Sequence, residues 1–425
     1  MGKIAKYLNQ LIIGNVFDNP EILEKYSTDY SALKIKPKFV VFPESTDDIR
    51  KLMRFFNQLA AKDIKVAVTV RGGGHDENGA DLGNGVIIST EKLNHLLEID
   101  TRERLVRVQA GITLKELNTA LSVSGLQIPI DGRSDDTIGG LISNNLTDEC
   151  AHKYGGIQKY VERIEVILAN GECLQTERLR KYAVAKKAVE KSLEGHLYQK
   201  TSKYIKENPE LLEKIKNTKS LAGYTGIKDA QKRETLDLMP FFFGAEGTLG
   251  IISEVILKAV PIKKRPERVI ATFKDISDAI KYASEISPLK PRKLNLFDLK
   301  IIMEARESGK NLDGIIKKLD DGFVVFASFD EHAARCIKKI KSLQEKLPRS
   351  TKFVFETQND RPTLNEFENS LGSYLNHTKN MVKYQAYLLQ NILDLEPQGS
   401  LDDLVRKRII SPLSGVLYIY RKALP

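Results

Sequence analysis

The first pattern of apolar and polar residues predicts a strand, then a helix, then a second strand. Residues 39–42, Phe-Val-Val-Phe, form an apolar run that Pro43 ends. Ser45 supplies a helix cap, and apolar residues then recur at helical spacing from Ile49 to Leu59. Because a second apolar run follows at 66–70, the pattern predicts a parallel βαβ unit.

The next part of the chain is rich in predicted strands. Thr113 is expected to cap a helix that Gly125 closes, and Asn170-Gly171 is a hairpin turn signal. The apolar runs predict strands or hairpins at 86–89, 97–100 with 105–110, 164–168 with 172–175, and 251–259.

Residues 178–233 differ in kind, because they are rich in Lys, Glu and Leu at helical spacing. They carry 15 Lys or Arg against 6 Asp or Glu. A solvated helical insertion at about 178–219 is the favoured interpretation, and a face that binds an anion or a partner is the alternative.

A second pattern begins after Arg265-Pro266, where strands and helices alternate. Apolar runs predict strands at 269–273, 323–329 and 352–357, with helices at 277–286 and 331–347. The chain is therefore divided into an N-terminal helical segment (1–35), a domain at 36–264 and an α+β domain at 265–425, with 261–266 as the linker.

Composition narrows the class of protein. The 425 residues are 41% hydrophobic and 29% charged, which excludes wholesale disorder. Three cysteines without CxxC spacing argue against a cysteine-bound metal, and no apolar run reaches the ~18 residues of a membrane span. We expect a cytoplasmic protein, with peripheral contact at the inner membrane face left open. The net charge of +10 suits anionic ligands, but we find no nucleic-acid recognition motif and expect no such partner.

Three glycine-rich segments carry the candidate chemistry. In the first, a strand runs into Arg71, Gly72, Gly73, Gly74 and His75. Successive bare N–H groups there can hold an anion such as a pyrophosphate, and a plain tight turn is the alternative. The segment is neither a Walker motif nor the usual dinucleotide fingerprint, because a polar loop and not a helix follows it.

The second and third segments could surround a polar cofactor. Residues 130–145 combine Ser, Thr, Asn and Gly with apolar residues, so they offer many hydrogen bonds without requiring a charge. Residues 241–252 break an apolar run with three glycines around Glu246 before a strand resumes. That glutamate is either a loop cap or a ligand contact.

Seven stretches, in this order, resemble the PCMH-type FAD-binding domain of the vanillyl-alcohol-oxidase class. Within that class the sequence most resembles the FAD-linked D-lactate and glycolate dehydrogenase branch. The resemblance covers roughly residues 36–261 and rests on 42–49, 71–74, 110–117, 137–140, 153–155, 222–224 and 244–250.

The resemblance implies an α+β protein with a two-lobed FAD-binding domain followed by an α+β cap domain, which would cover the flavin and build the substrate pocket. The first segment would wrap the pyrophosphate, the second would line the flavin, and the third would lie near the adenine. The implied cofactor-binding residues are Arg71, Gly72, Gly73, Gly74, His75, Asp131, Ser134, Thr137, Gly139, Gly140, Ser143, Asn144, Glu246, Gly247, Leu249, Gly250, Ile251 and Ile252.

Three departures from the family pattern matter. His75 stands where this branch usually has a small hydroxyl residue, and other branches bond a histidine here covalently to the flavin. Asp148, Glu149 and Cys150 replace small residues. The late histidine motifs are missing, so no catalytic residue and no metal ligand is assigned, and the cap is either incomplete or divergent.

The expected reaction is oxidation of a small anionic 2-hydroxy acid, D-lactate or glycolate. Electrons would pass to an external acceptor: a quinone, an iron–sulfur module or oxygen. The candidate cations for the substrate carboxylate are Arg292, Lys293, Arg361 and Arg406. The alternatives are a covalent-FAD oxidase of an alcohol or sugar, and a flavin-binding electron-transfer subunit without its own substrate site.

Overall fold

The computed structural model describes residues 3–299 and 319–367, apart from positions 32, 77, 147, 149, 217–223, 225, 264, 320–321, 349 and 366. Several sequence predictions lie outside the described residues. They are Glu149, Ala222-Gly223, the end of the basic insertion, Arg406 and the last part of the predicted cap.

The chain forms two compact units, and each contains two separate stretches of sequence. The first unit comprises Met1–Leu146 and Gly156–Ile262, and the second comprises Thr147–Gly155 and Lys263–Pro425. The change of pattern near Pro261–Pro266 falls where the first unit ends. The sequence pattern gives no sign of the short excursion at 147–155.

The strands alternate with helices along the chain. They are β1 (Asn15–Phe17), β2 (Phe39–Phe42), β3 (Val68–Arg71), β4 (Val86–Ser89), β5 (Leu96–Asp100), β6 (Leu105–Gln109), β7 (Leu126–Gln127), β8 (Val161–Ile167), β9 (Cys173–Gln175), β10 (Leu179–Arg180), β11 (Gln231–Lys232), β12 (Thr235–Leu236), β13 (Ile251–Lys258), β14 (Val260–Pro261), β15 (Glu267–Phe273), β16 (Lys293–Asp298), β17 (Phe323–Phe329) and β18 (Lys352–Phe355).

The helices include three single 3-10 turns, at 157–159, 239–242 and 287–289. The α-helices are α1 (Lys3–Leu11), α2 (Pro20–Lys25), α3 (Thr46–Ala60), α4 (Leu114–Ser122), α5 (Ile138–Ser143), α6 (Ala151–Tyr154), α7 (Lys181–Lys187), α8 (Leu193–Glu207), α9 (Pro209–Lys216), α10 (Ile227–Ala230), α11 (Ile276–Ile286) and α12 (Ala333–Gln344). No helix among them is long and apolar enough to cross a membrane.

The first unit begins with a sheet in the order β1-β2-β4-β3, in which β2 and β3 both run parallel to β4. The predicted parallel arrangement is therefore present, but β4 lies between the two strands. The Ser45 hydroxyl accepts a hydrogen bond from the Asp48 N–H and begins α3, as predicted. The apolar face of α3, with Ile49 and Leu52, packs against Val86 and Ile88 in the core.

A second sheet of the first unit is antiparallel, in the order β5-β6-β13-β8-β9. Its central strand, β13, pairs with both predicted hairpins and ties distant parts of the sequence together. In the basic insertion, α7, α8 and α9 are helical as predicted. Three short strands in the order β10-β12-β11 accompany them. The helical pattern of the sequence does not predict these strands.

The second unit has an antiparallel sheet in the order β16-β17-β15-β18. Helices α11 and α12 cover one face, where Ile286 and Ile340 pack with odd-numbered residues of β17 such as Phe329. Because side chains alternate along a strand, the even-numbered residues of β17 lie on the opposite face.

Candidate functional site

The first glycine-rich segment leaves the carboxyl end of β3 and packs directly against the second. A β-carbon on Gly72 would lie inside van der Waals contact of the Thr137 hydroxyl. Gly74 has a φ of +78°, and a β-carbon there would overlap the Arg71 guanidinium. Glycine is therefore required at both positions, by close approach at Gly72 and by backbone conformation at Gly74.

The backbone N–H groups of this segment are hydrogen-bond donors that no protein acceptor among the described residues engages. Within the described part of the chain, the N–H groups of Gly72, Gly73 and Gly74 make no hydrogen bond to a protein acceptor. Consecutive N–H groups of this kind form a site for an anion.

The Arg71 side chain packs against Tyr26 and lies near Asp81. Its guanidinium carbon lies 4.9 Å from the centre of the Tyr26 ring, and its Nη1 lies 3.7 Å from Asp81 Oδ1. Burial raises the pKa of Asp81 to about 7, which Arg71 opposes and the nearby carboxylates of Asp29 and Asp76 reinforce. Sequence reasoning missed Asp81, because a single aspartate in a polar loop carries no motif.

His75 is held between two carboxylates of the second segment. Its Nδ1 lies 2.8 Å from Asp136 Oδ1, and its Nε2 lies 3.1 Å from Asp135 Oδ2. The Tyr30 ring packs edge-on at 5.2 Å. The imidazole therefore ties the first segment to the second and has a carboxylate at each nitrogen.

The second segment is a loop that becomes α5. Thr137 caps this helix by accepting from the Gly140 N–H, and Gly139 N donates to Ala110 O. Ile138 and Ile142 are buried, so this helix packs into the core of the first unit. Asp131 is half-buried and Ser134 is exposed at the loop surface.

The three glycine-rich segments meet at one place. Asn144 Nδ2 donates to Asp76 Oδ1 at 3.1 Å, and Glu246 N donates to Ser143 O at 2.9 Å. Gly247 lies beside Val70 of β3. Burial, reinforced by the Asp76 charge, raises the pKa of the Glu246 carboxyl. Segments that lie far apart in the sequence therefore form one polar cluster.

The remaining predicted residues of the third segment have different surroundings. Ile251 and Ile252 are buried in β13, so only their backbone could face a ligand. Leu249 is exposed, and Gly250 packs against Val166.

The predicted substrate cations Lys293 and Arg361 fall in the second unit, together with Asp148 and Cys150 of the stretch that departs from the family pattern. Lys293 is buried on β16, whereas Arg361 is more exposed and lies 3.2 Å from Glu356. Asp148 is buried and accepts from the Cys150 N–H. The described residues contain no group of three or more His, Cys, Asp or Glu that could hold a metal ion.

Comparison with known proteins shows what this cluster is similar to. Residues 37–177 match the family described as "FAD binding domain". The first unit contains a PCMH-type FAD-binding domain. Its cofactor is FAD, and the predicted fold class and the predicted likeness to the D-lactate and glycolate dehydrogenase branch are confirmed.

Similar curated proteins include three kinds of enzyme. The chain is 29% identical over 288 residues to D-2-hydroxyglutarate dehydrogenase of Pseudomonas putida, a match that covers 66% of this chain and 28% of the relative. It is 25% identical to D-lactate dehydrogenase of Anaerostipes hadrus, covering 75% and 58% of the two chains. It is 27% identical to a glycolate oxidase subunit of Bacillus subtilis, covering 64% and 48%.

The match thus spans 28% of the length of the D-2-hydroxyglutarate dehydrogenase. Among solved structures, alkyldihydroxyacetonephosphate synthase has a similar fold, with a TM-score of 0.59 at 17% identity. That match covers 88% of this chain and 68% of the other.

The residues of the FAD-binding domain fit the cofactor. The free N–H groups of Gly72–Gly74 suit the pyrophosphate, and bulkier residues would close the approach at Gly72. Asn144, Ser143 and Glu246 at the meeting point offer polar groups for the rest of the cofactor.

Proposed function

We propose that this protein is an FAD-dependent oxidoreductase that oxidises a 2-hydroxy acid. The meeting of the three glycine-rich segments around unpaired N–H groups carries the proposal. The similarity to dehydrogenases of D-2-hydroxyglutarate and D-lactate supports this substrate class. FAD, when bound, supplies the two-electron acceptor that converts a 2-hydroxy acid to a 2-oxo acid.

The protein's contribution is to bind and to orient. Gly72–Gly74 hold the pyrophosphate through their backbone, and Arg71 fixes the loop by packing on Tyr26. His75 keeps the first two segments together through Asp135 and Asp136. Preorganised donors of this kind position a cofactor without reorganisation on binding.

For the finer substrate we propose D-lactate, glycolate or the related D-2-hydroxyglutarate, with an external electron acceptor. A carboxylate substrate requires a cation, and Lys293 is the buried candidate among the predicted residues that the structure describes. The basic insertion is proposed as a solvated surface.

The covalent alternative is less well supported by the surroundings of His75. Attack on a flavin carbon needs a free imidazole nitrogen, whereas both nitrogens here face a carboxylate. We therefore propose non-covalent FAD. Acid precipitation of the purified protein should release the flavin into the supernatant, and a yellow pellet would favour the covalent oxidase.

The test of function is the visible spectrum of the purified protein before and after anaerobic addition of each hydroxy acid. We expect a flavin band that bleaches with at least one of them. A flavin band that stays oxidised with all of them would favour the electron-transfer subunit. No flavin band, even after FAD is added, would overturn the proposal.

A further inference from the structure

The His75 imidazole lies directly against the glycine loop that is proposed to hold the FAD pyrophosphate. A β-carbon built on Gly73 would lie 3.0 Å from His75 Cε1 and 3.1 Å from His75 Nδ1. On another side the ring packs edge-on against Tyr30. A positive charge on this ring would therefore lie within a few ångströms of an anion bound by the N–H groups of the loop.

The two polar contacts of the ring require two donors. Nδ1 lies 2.8 Å from Asp136 Oδ1, and Nε2 lies 3.1 Å from Asp135 Oδ2. An ionised carboxylate only accepts hydrogen bonds, whereas a neutral imidazole donates from one nitrogen and presents a lone pair at the other. Both contacts are therefore hydrogen bonds only when the ring carries a second proton and a positive charge.

Water reaches the two contacts to different extents. The Asp136 side chain is 15% exposed, and its Oδ2 accepts a hydrogen bond from the Arg133 N–H at 2.8 Å. The Asp135 side chain is 66% exposed, so solvent screens its contact with the ring. Because a buried acceptor without a donor costs more than an exposed one, a neutral ring should keep its proton at Asp136 and lose the bond to Asp135.

Other charged groups surround the ring. The titratable and charged residues on the elements around it are Asp135, Asp136 and Arg133 of the second segment, Asp76 of the first segment, and Tyr30. The Asp76 carboxylate already accepts from Asn144 and from two backbone N–H groups of its own loop. The Arg133 guanidinium carbon lies 4.0 Å from the centre of the Tyr30 ring. Among these residue types, histidine is the one that ordinarily changes charge between about pH 5 and 8.

We propose that FAD binding depends on the protonation of His75: the imidazolium holds the first and second glycine-rich segments together, and loss of its proton weakens FAD binding. The proposal rests on the non-covalent FAD of the proposed function, with its pyrophosphate at Gly72–Gly74. The imidazolium acts both through its two hydrogen bonds and through its charge, which attracts the pyrophosphate. Since linkage is reciprocal, FAD binding at alkaline pH should take up a proton.

The test is the dissociation constant of FAD at pH 6, 7, 8 and 9. Ultrafiltration of the diluted holoprotein, followed by flavin absorbance of the filtrate, measures it. The two hydrogen bonds are complete at low pH, so the wild-type constant should rise about 3- to 30-fold from pH 6 to pH 9. His75→Gln keeps a polar side chain that has no proton to lose. This variant should bind FAD more weakly than wild type at pH 6 and should lack the rise.

Two further variants and a control identify the group that titrates. Asp81→Asn is needed because burial raises the pKa of Asp81 to about 7, and this variant should retain the rise that His75→Gln loses. Asp136→Asn keeps the histidine but removes its buried acceptor, so the rise should move to lower pH. His95→Gln is the matched control, because His95 is exposed and contacts Gln109. It should keep the wild-type profile.

The outcomes separate this proposal from the proposed function. A wild-type constant that does not change with pH, an identical rise in His75→Gln, or the loss of the rise in Asp81→Asn would each overturn the role of His75. Flavin that stays with the acid-precipitated protein would overturn non-covalent FAD and this role together. If no hydroxy acid bleaches the flavin, the proposed substrate class fails, and the pH profile of FAD binding still decides the role of His75.

Discussion

At the scale of single residues, the FAD-binding segment depends on the absence of a side chain at Gly72. A β-carbon there would collide with Thr137. We expect Gly72→Ala to make the free energy of FAD binding less favourable by about 1–3 kcal/mol, and so to reduce FAD affinity about tenfold or more. The ratio of flavin to protein absorbance after dialysis measures this.

The control for this substitution is Gly125→Asn. Gly125 has a positive φ, but a β-carbon there would meet nothing within 4 Å, and Asn tolerates that conformation. The control should keep its flavin. A flavin content equal to wild type in Gly72→Ala would show that the two segments need not approach so closely.

Asp81 gives a prediction about pH. Because burial raises its pKa to about 7, above the 3.8 of an ordinary aspartate, its contribution to stability is complete below pH 4 and is lost as the pH rises to about 7. Asp81→Asn should therefore be more stable than wild type at pH 8, by on the order of 1–3 kcal/mol, with little difference at pH 4.

Urea unfolding at pH 4, 6 and 8 measures this difference. Asp47→Asn is the control, because a hydrogen bond from Lys51 lowers the pKa of that exposed carboxyl and it titrates below this range. If the free energy of unfolding changes with pH in the same way in Asp81→Asn and in the wild type, the Asp81 carboxyl is ionised from pH 4 to pH 8.

At the scale of elements, α4 depends on Thr113, the residue that caps its amino-terminal end. Thr113 forms a capping box with Glu116, in which the Thr113 hydroxyl accepts from the Glu116 N–H at 3.2 Å. Thr113→Ala should lower the free energy of unfolding by about 1 kcal/mol, measured by chemical denaturation. Thr119→Ala, at an exposed position of the same helix, should be neutral or slightly stabilising. Equal effects of the two would argue against the cap.

Elements with strong local signals were predictable from the sequence. The caps at Ser45 and Thr113 and the apolar run at 323–329 each depend on residues close together in the chain. The insertion of β4 between β2 and β3 is a long-range choice that periodicity does not encode. The strands β10, β11 and β12 have two residues each, too few to show a period.

The candidate site was predictable only in part, for a similar reason. Glycines and the residues around them mark the three segments, whereas Tyr26 and Asp81 act through contacts that no local motif announces.

At the scale of the whole molecule, a buried ion pair joins the excursion at 147–155 to the rest of the second unit. Lys153 and Tyr154 both bond to Asp330. Burial disfavours the Asp330 carboxylate, but the hydrogen bonds from these two residues outweigh it and lower the pKa. Lys153→Met should therefore destabilise the protein by about 3–5 kcal/mol, because it leaves a buried charge unpaired.

Lys153→Met/Asp330→Leu should recover much of that loss, and a double-mutant cycle from denaturation curves measures the coupling. Lys263→Met is the control, since Lys263 and Glu331 form an exposed pair that contributes about 0–1 kcal/mol. Additive effects of Lys153→Met and Asp330→Leu would show that the pair is not coupled.

The distance between these two residues in the sequence limits when the second unit can fold during synthesis. Lys153 and Asp330 are 177 residues apart in the sequence. At about 5–20 residues per second, a ribosome needs on the order of 10–35 seconds to reach the second after making the first. During that interval Lys153 and Tyr154 lack Asp330 as a partner, although the strands β1–β4 are already complete. A nascent chain therefore finishes the first sheet well before it can close the second unit.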